Sequence, residues 1–117
     1  MDRFTLAYIE AALWSSTDNS RDDGGDPLDR NYSVNDISSE LIVAMQNDCA
    51  KFQDDNAATL DGLKIEQCGH DFWLTRNRHG AGFWDRGLGL VGEELTRASH
   101  AFGECDLYVG DDGQIYS

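Results

Sequence analysis

The chain reads as an α+β domain: three helices packed on a small antiparallel sheet made of two hairpins, all within residues 1–117. Three observations predict this class. The length of 117 residues is room for one domain and not two. The apolar period switches between helical and strand-like spacing along the chain. The predicted order is helix, acidic loop, helix, hairpin, helix, hairpin, with no βαβ alternation, which places helices on one face of a small sheet.

Residues 3–14 carry the first helix, because Thr5, Tyr8, Ile9, Ala12 and Leu13 recur at helical spacing with Glu10 on the opposite side. Phe4, Leu6 and Tyr8 also alternate, so a short strand competes there. From Ser15 to about Asn35 the composition turns to Asp, Gly and Ser around the single proline, Pro27. That marks a loop longer than compact domains usually carry. The second helix starts at a cap on Asp36 or Ser38, with Glu40 in its first turn. Its stripe is Leu41 or Ile42, Met45, Cys49, Phe52 and Leu60, and Gly62 ends it. From Asp71 the period becomes two, Phe72, Leu74 and Arg76 against Trp73 and Thr75. With a turn over Asn77 to Gly82 and a returning strand Gly82 to Asp85, this predicts a hairpin. Leu88, Val91, Leu95, Ala98 and Phe102 predict the third helix, with Gly103 as its stop. Leu107-Tyr108-Val109, an Asp111-Asp112-Gly113 turn and Gln114-Ile115-Tyr116 close the chain as a second hairpin.

The composition excludes several partners. Nine Lys and Arg stand against 22 Asp and Glu, for a net charge of -13, while 40% of the residues are hydrophobic. That content supports a core, and the charge repels nucleic-acid backbones and anionic membranes. Residues 1–61 hold the larger share of the acids. No apolar run reaches the roughly 18–20 residues of a membrane span. The start, Met1-Asp2-Arg3-Phe4, lacks the layout of a secretory signal. The odd set Cys49, Cys68 and Cys105 suits a reducing cytoplasm.

Motifs for chemistry are few. Counted from Asp18, the EF-hand pattern fails at its glycine, where Asp23 stands, and ends on Asp29 instead of Glu. Cys68, His70 and His79 lack the paired spacing of a zinc site, so no metal and no cofactor is expected. The segment Gly69 to Arg86 concentrates His70, His79, Trp73, Trp84 and three arginines. A small hydrolase or transferase centred on His70, Asp71, Arg76 and His79 could use His70 as a base oriented by a carboxylate, with Arg76 holding an anion and glycine amides near Gly80 to Gly82 serving an oxyanion. No nucleophile in a recognised context accompanies them.

Segments Ala11 to Asp18, Asp26-Pro27-Leu28-Asp29, Asn31-Tyr32, His70 to Arg86 and Tyr108 to Gly113 resemble a family of short acidic proteins encoded by phages and prophages. The resemblance implies a viral product acting inside a bacterial cell, and it carries no catalytic residues. On that basis the expected function is a phage-encoded binding protein, neither enzyme nor direct nucleic-acid binder. It would inhibit a host defence system, anti-CRISPR or anti-restriction, by occluding or mimicking the nucleic-acid site. The expected partner is a host protein with a basic surface, met by the chain as monomer or homodimer. The predicted partner surface comprises the carboxylates Asp22, Asp23, Asp26, Asp29, Asp54 and Asp55, together with Trp73, Arg76, Arg78 and His79. Alternative readings are a phage accessory or structural module whose charge serves solubility, and the hydrolase on His70 and His79.

Overall fold

A computed structural model describes residues 1–18 and 25–117. Among these lie five α-helices: α1 (Arg3–Ser15), α2 (Ser39–Asp55), α3 (Ala57–Leu60), α4 (Ile65–Arg76) and α5 (Leu90–His100). Two antiparallel pairs of two-residue strands accompany them: β1 (Thr17–Asp18) with β2 (Asp26–Pro27), and β3 (Tyr108–Val109) with β4 (Ile115–Tyr116). The α+β class holds, but the helices pack on one another and not on a sheet.

Helix α1 is central. Asp2 caps it by accepting from the Thr5 amide at 2.8 Å, and Phe4, Tyr8, Ile9, Ala11, Ala12 and Leu13 are all buried. A helix buried on most sides needs small residues where backbones meet. Here Gly69 of α4 supplies one, since a Cβ on it would lie 2.1 Å from the Phe4 carbonyl oxygen. Helix α2 follows its predicted stripe: Leu41, Met45, Cys49 and Phe52 are buried, and the Ser38 hydroxyl accepts from the Leu41 amide at 3.2 Å. It ends earlier than Gly62. The Asn56 side chain turns back to donate to the Phe52 carbonyl at 2.8 Å, and α3 begins as a separate turn.

The predicted first hairpin is instead helical, and its first strand is the C-terminal half of α4. Period-two spacing is informative only when one face is wet. Phe72, Trp73, Leu74, Thr75 and Arg76 are all buried, so the apparent alternation had no outer face behind it. The helix ends with the His79 amide donating to the Leu74 carbonyl and the Arg78 amide to that of Thr75, at 2.9 and 3.0 Å. This double closure requires a left-handed residue, and Arg78 takes that role at φ 58°. The predicted returning strand is a single 3-10 turn over Phe83–Asp85, tied down by the Phe83 amide donating to Thr75 Oγ1 at 3.0 Å.

Helix α5 buries Leu95, with Val91, Ala98 and Phe102 half-buried, as its spacing predicts; Gly103 stops it at φ 75°. The predicted C-terminal hairpin is present, with Tyr108 facing Tyr116 and Val109 facing Ile115. It does not join β1 and β2. It docks on the entry to α2, where the Ser38 amide donates to the buried Ile115 carbonyl at 2.9 Å. The core is aromatic: Phe52 stacks on Phe72 at 4.1 Å, and Phe4, Tyr8, Phe83 and Phe102 surround them.

Candidate functional site

Helix α4 carries the charged side chains that the sequence singles out, and most of them face inward. The Arg76 guanidinium is buried. It donates to the Tyr8 hydroxyl at 3.0 Å, to Asp48 at 2.9 Å, and to the Gly103 and Phe102 carbonyls at 2.9 and 3.0 Å. It also lies over the Phe72 and Phe102 rings, at 5.8 and 5.7 Å. Burial works against its charge, but Tyr8 and Asp48 outweigh that and raise its pKa. Burial likewise pushes the Tyr8 hydroxyl up. Arg76 therefore joins α1, α2 and the end of α5 and offers a partner nothing. Trp73 is a second correction to the predicted partner surface. Its ring is 1% exposed, edge-on to Tyr8 at 5.3 Å, and its Nε1 donates to Ser15 Oγ at 2.8 Å.

The carboxylates divide. Asp22 and Asp23 lie outside the described residues. Asp29, Asp54 and Asp55 are exposed, and Asp26 is half-buried. Asp26 pairs with Arg30 at 3.2 Å and Asp55 with Lys51 at 2.8 Å, both across one helical turn's spacing. Exposed pairs of this kind stabilise little but do cancel charge locally. Arg78 and His79 are exposed beyond the end of α4.

The sequence reading missed one pair. Asp71 is 1% exposed and held by Arg86 through two bonds, at 2.9 and 3.1 Å, with Gln67 Nε2 donating to it at 3.0 Å. The His70 ring stands 3.5 Å from the same carboxylate and stacks on Trp14 at 5.6 Å. A fifteen-residue gap across a turn leaves no spacing signal for the Asp71–Arg86 pair.

Two of the clefts along α4 are lined by the histidines. One, of about 320 Å³, is lined by Ala7, Glu10, Glu66, Gln67, His70 and Arg86. The other, of about 520 Å³, is lined by residues that include Ser15, Asn77, His79, Glu104 and Asp106. His70 and His79 thus belong to different clefts. The shared centre expected of the hydrolase reading does not form. Among the described residues no group of three His, Cys, Asp or Glu converges to hold a metal ion, and no helix is long and apolar enough to cross a membrane.

What remains outward is negative charge. Glu40, Asp54, Asp55, Glu93, Glu94 and Asp111 are exposed on α2, α5 and the C-terminal hairpin. Among the basic side chains, Arg3, Arg30, Lys51, Arg76 and Arg86 are engaged with Glu66, Asp26, Asp55, Asp48 and Asp71. No protein-family model, curated protein or solved structure matches the chain.

Proposed function

We propose that this chain is an acidic binding protein that inhibits a host nucleic-acid-acting defence system, of the anti-CRISPR or anti-restriction kind, by occupying its nucleic-acid site. The observation that carries the reading is the uncompensated surface. The chain holds -13 net charge, and five of its cations are turned onto its own carboxylates. The molecule measures 43 × 25 × 21 Å. Duplex DNA of the same 43 Å length carries about 25 phosphate charges, so the net charge here is about half as dense. That is enough to steer association with a basic groove and to make it salt-dependent. The resemblance to short acidic phage and prophage proteins supports the setting, the cytoplasm of a bacterial host.

The test is expression of the chain in bacteria that carry a CRISPR or restriction system, followed by plating of a phage that the system blocks. Plaques return if the reading is correct. Purified chain is expected to leave duplex DNA unshifted at about 0.15 M salt, since it has almost no cations with which to release counterions. Persistent blocking of the phage in every system tried, or a specific DNA shift at that salt, overturns the proposal. Reversal of Asp54 and Asp55 to Lys is expected to slow association with the captured target and leave the fold intact, because both are exposed.

A further inference from the structure

The outward aromatics are not equivalent. Trp14 stacks on His70 and Tyr108 on Tyr116. Trp84 is 57% exposed, and among the described residues its ring has no aromatic neighbour and its indole N–H no acceptor. It is nonetheless firmly placed. Phe83 before it is buried, with its amide bound to Thr75 Oγ1, and the Asp85 amide donates to the Gly82 carbonyl at 3.0 Å. Gly92 of α5 closes on the same turn, where a Cβ would lie 3.1 Å from the Phe83 carbonyl oxygen. An exposed tryptophan on an anchored turn has the form of an interface anchor, because little freedom is lost when it is covered.

The charges around it say what covers it. Asp85 follows it in the chain and Glu93 follows Gly92, both exposed, while Glu94 points to α3 and accepts from Thr59 Oγ1 at 3.3 Å. The neighbouring cation, Arg86, is drawn away onto the buried Asp71. The turn therefore presents a flat π face with an N–H donor, next to the Asp85 carboxylate. A nucleobase between backbone phosphates presents the same chemistry. Grooves for single-stranded nucleic acid combine cationic tracks with aromatic platforms on which bases stack, whereas a duplex keeps its bases inside the stack.

Resting on the function proposed above, we infer that Trp84 enters a base-stacking slot of a single-strand-binding groove, with Asp85 and Glu93 on that groove's phosphate contacts. The partner is thus a protein that grips single-stranded nucleic acid, not one that grips a duplex.

Competition tests this directly. One assay uses a fluorescent oligothymidylate on a bacterial single-stranded-DNA-binding protein of the OB type. The other uses a fluorescent duplex on a basic duplex-binding protein. The chain is expected to displace the oligothymidylate, with at least ten times more Trp84→Ala than wild type needed for the same displacement and most of the potency kept by Trp84→Phe. Circular dichroism of both variants should match wild type, since the side chain is exposed. Equal potency of wild type and Trp84→Ala, or displacement of the duplex alone, overturns this inference and leaves the acidic-inhibitor reading standing. Displacement in neither assay overturns this inference and counts against that reading too.

Discussion

The middle and the C-terminal end of α4 each bury a charge, and they satisfy it in different ways. At mid-helix, Asp71 meets Arg86, whose side chain keeps 33% of its surface in solvent. At the C-terminal end, Arg76 is 6% exposed by side chain and is bound by Tyr8 of α1, Asp48 of α2 and two carbonyls beyond α5. One pair fastens α4 to a single neighbouring loop; the other fastens three parts of the chain at once. A buried charge costs several kcal/mol unless its partners stay in place, so the number of elements involved sets how far a break spreads.

The sharpest break is therefore Arg76→Ala. It strands the Tyr8 hydroxyl and the Phe102 and Gly103 carbonyls, and the expected loss is about 3–5 kcal/mol in urea unfolding. A loss under about 1 kcal/mol would mean that water replaces the guanidinium. Next comes the close approach near the middle of α4. Gly69→Ala pushes a methyl into the Phe4 carbonyl and should cost about 3 kcal/mol, because backbone must move to admit it. Arg86→Ala is milder, about 1–2 kcal/mol. Asp71 keeps Gln67, and solvent already reaches the site where the guanidinium lay. If Arg86→Ala equals Arg76→Ala, the contrast between the two buried charges fails.

That contrast explains which parts were legible in the sequence. The α2 stripe, the Gly103 stop and the C-terminal hairpin follow local rules, so the residues that carry them announce themselves. Helix α4 does not. Its buried Asp71, Thr75 and Arg76 look like a wet face to any pattern that equates polar with outside. Their partners stand 15, 8 and 28 residues away in Arg86, Phe83 and Asp48. Strand alternation with Phe72 and Leu74 inward puts Trp73 on the opposite face, a partner surface, whereas in the helix all three are buried in the core. The surface charge was legible from composition alone, because burying a few carboxylates cannot reverse an excess of that size. Trp84 was visible as a residue but not as an outward one, since that follows from a 3-10 turn in place of a strand.

A smaller effect comes from the N-terminal cap of α1. Asp2 accepts from the Thr5 amide and from Gln53 Nε2 at 3.1 Å. Burial works to raise its pKa, but these bonds prevail and hold it below the ordinary carboxylate value of 3.8. A lowered native value means stability that is present above about pH 3.8 and lost as pH falls through the native pKa. Asp2→Ala should cost about 1 kcal/mol at pH 7. The gap between variant and wild type should narrow below pH 3.8 in thermal melts. A gap that stays constant down to pH 2 would show that the charge contributes nothing to the cap.

The smallest expected change is a gain, and it sharpens the picture of the C-terminal end. Arg78 holds φ 58° so that its own amide and that of His79 can close α4 onto Thr75 and Leu74. A residue with a Cβ pays about 1–2 kcal/mol for that conformation, whereas glycine adopts it freely. Glycine also loses more freedom on folding, which offsets part of the gain. Arg78→Gly should therefore stabilise by about 0.5–1 kcal/mol, read as a higher urea midpoint at unchanged slope. The Arg78 side chain is exposed and stands in no ion pair among the described residues, so no contact is lost against this gain. Destabilisation instead would mean that the Arg78 side chain supports the α4 cap. The Arg76 end would then rest on a fourth element, and its contrast with Asp71 would widen.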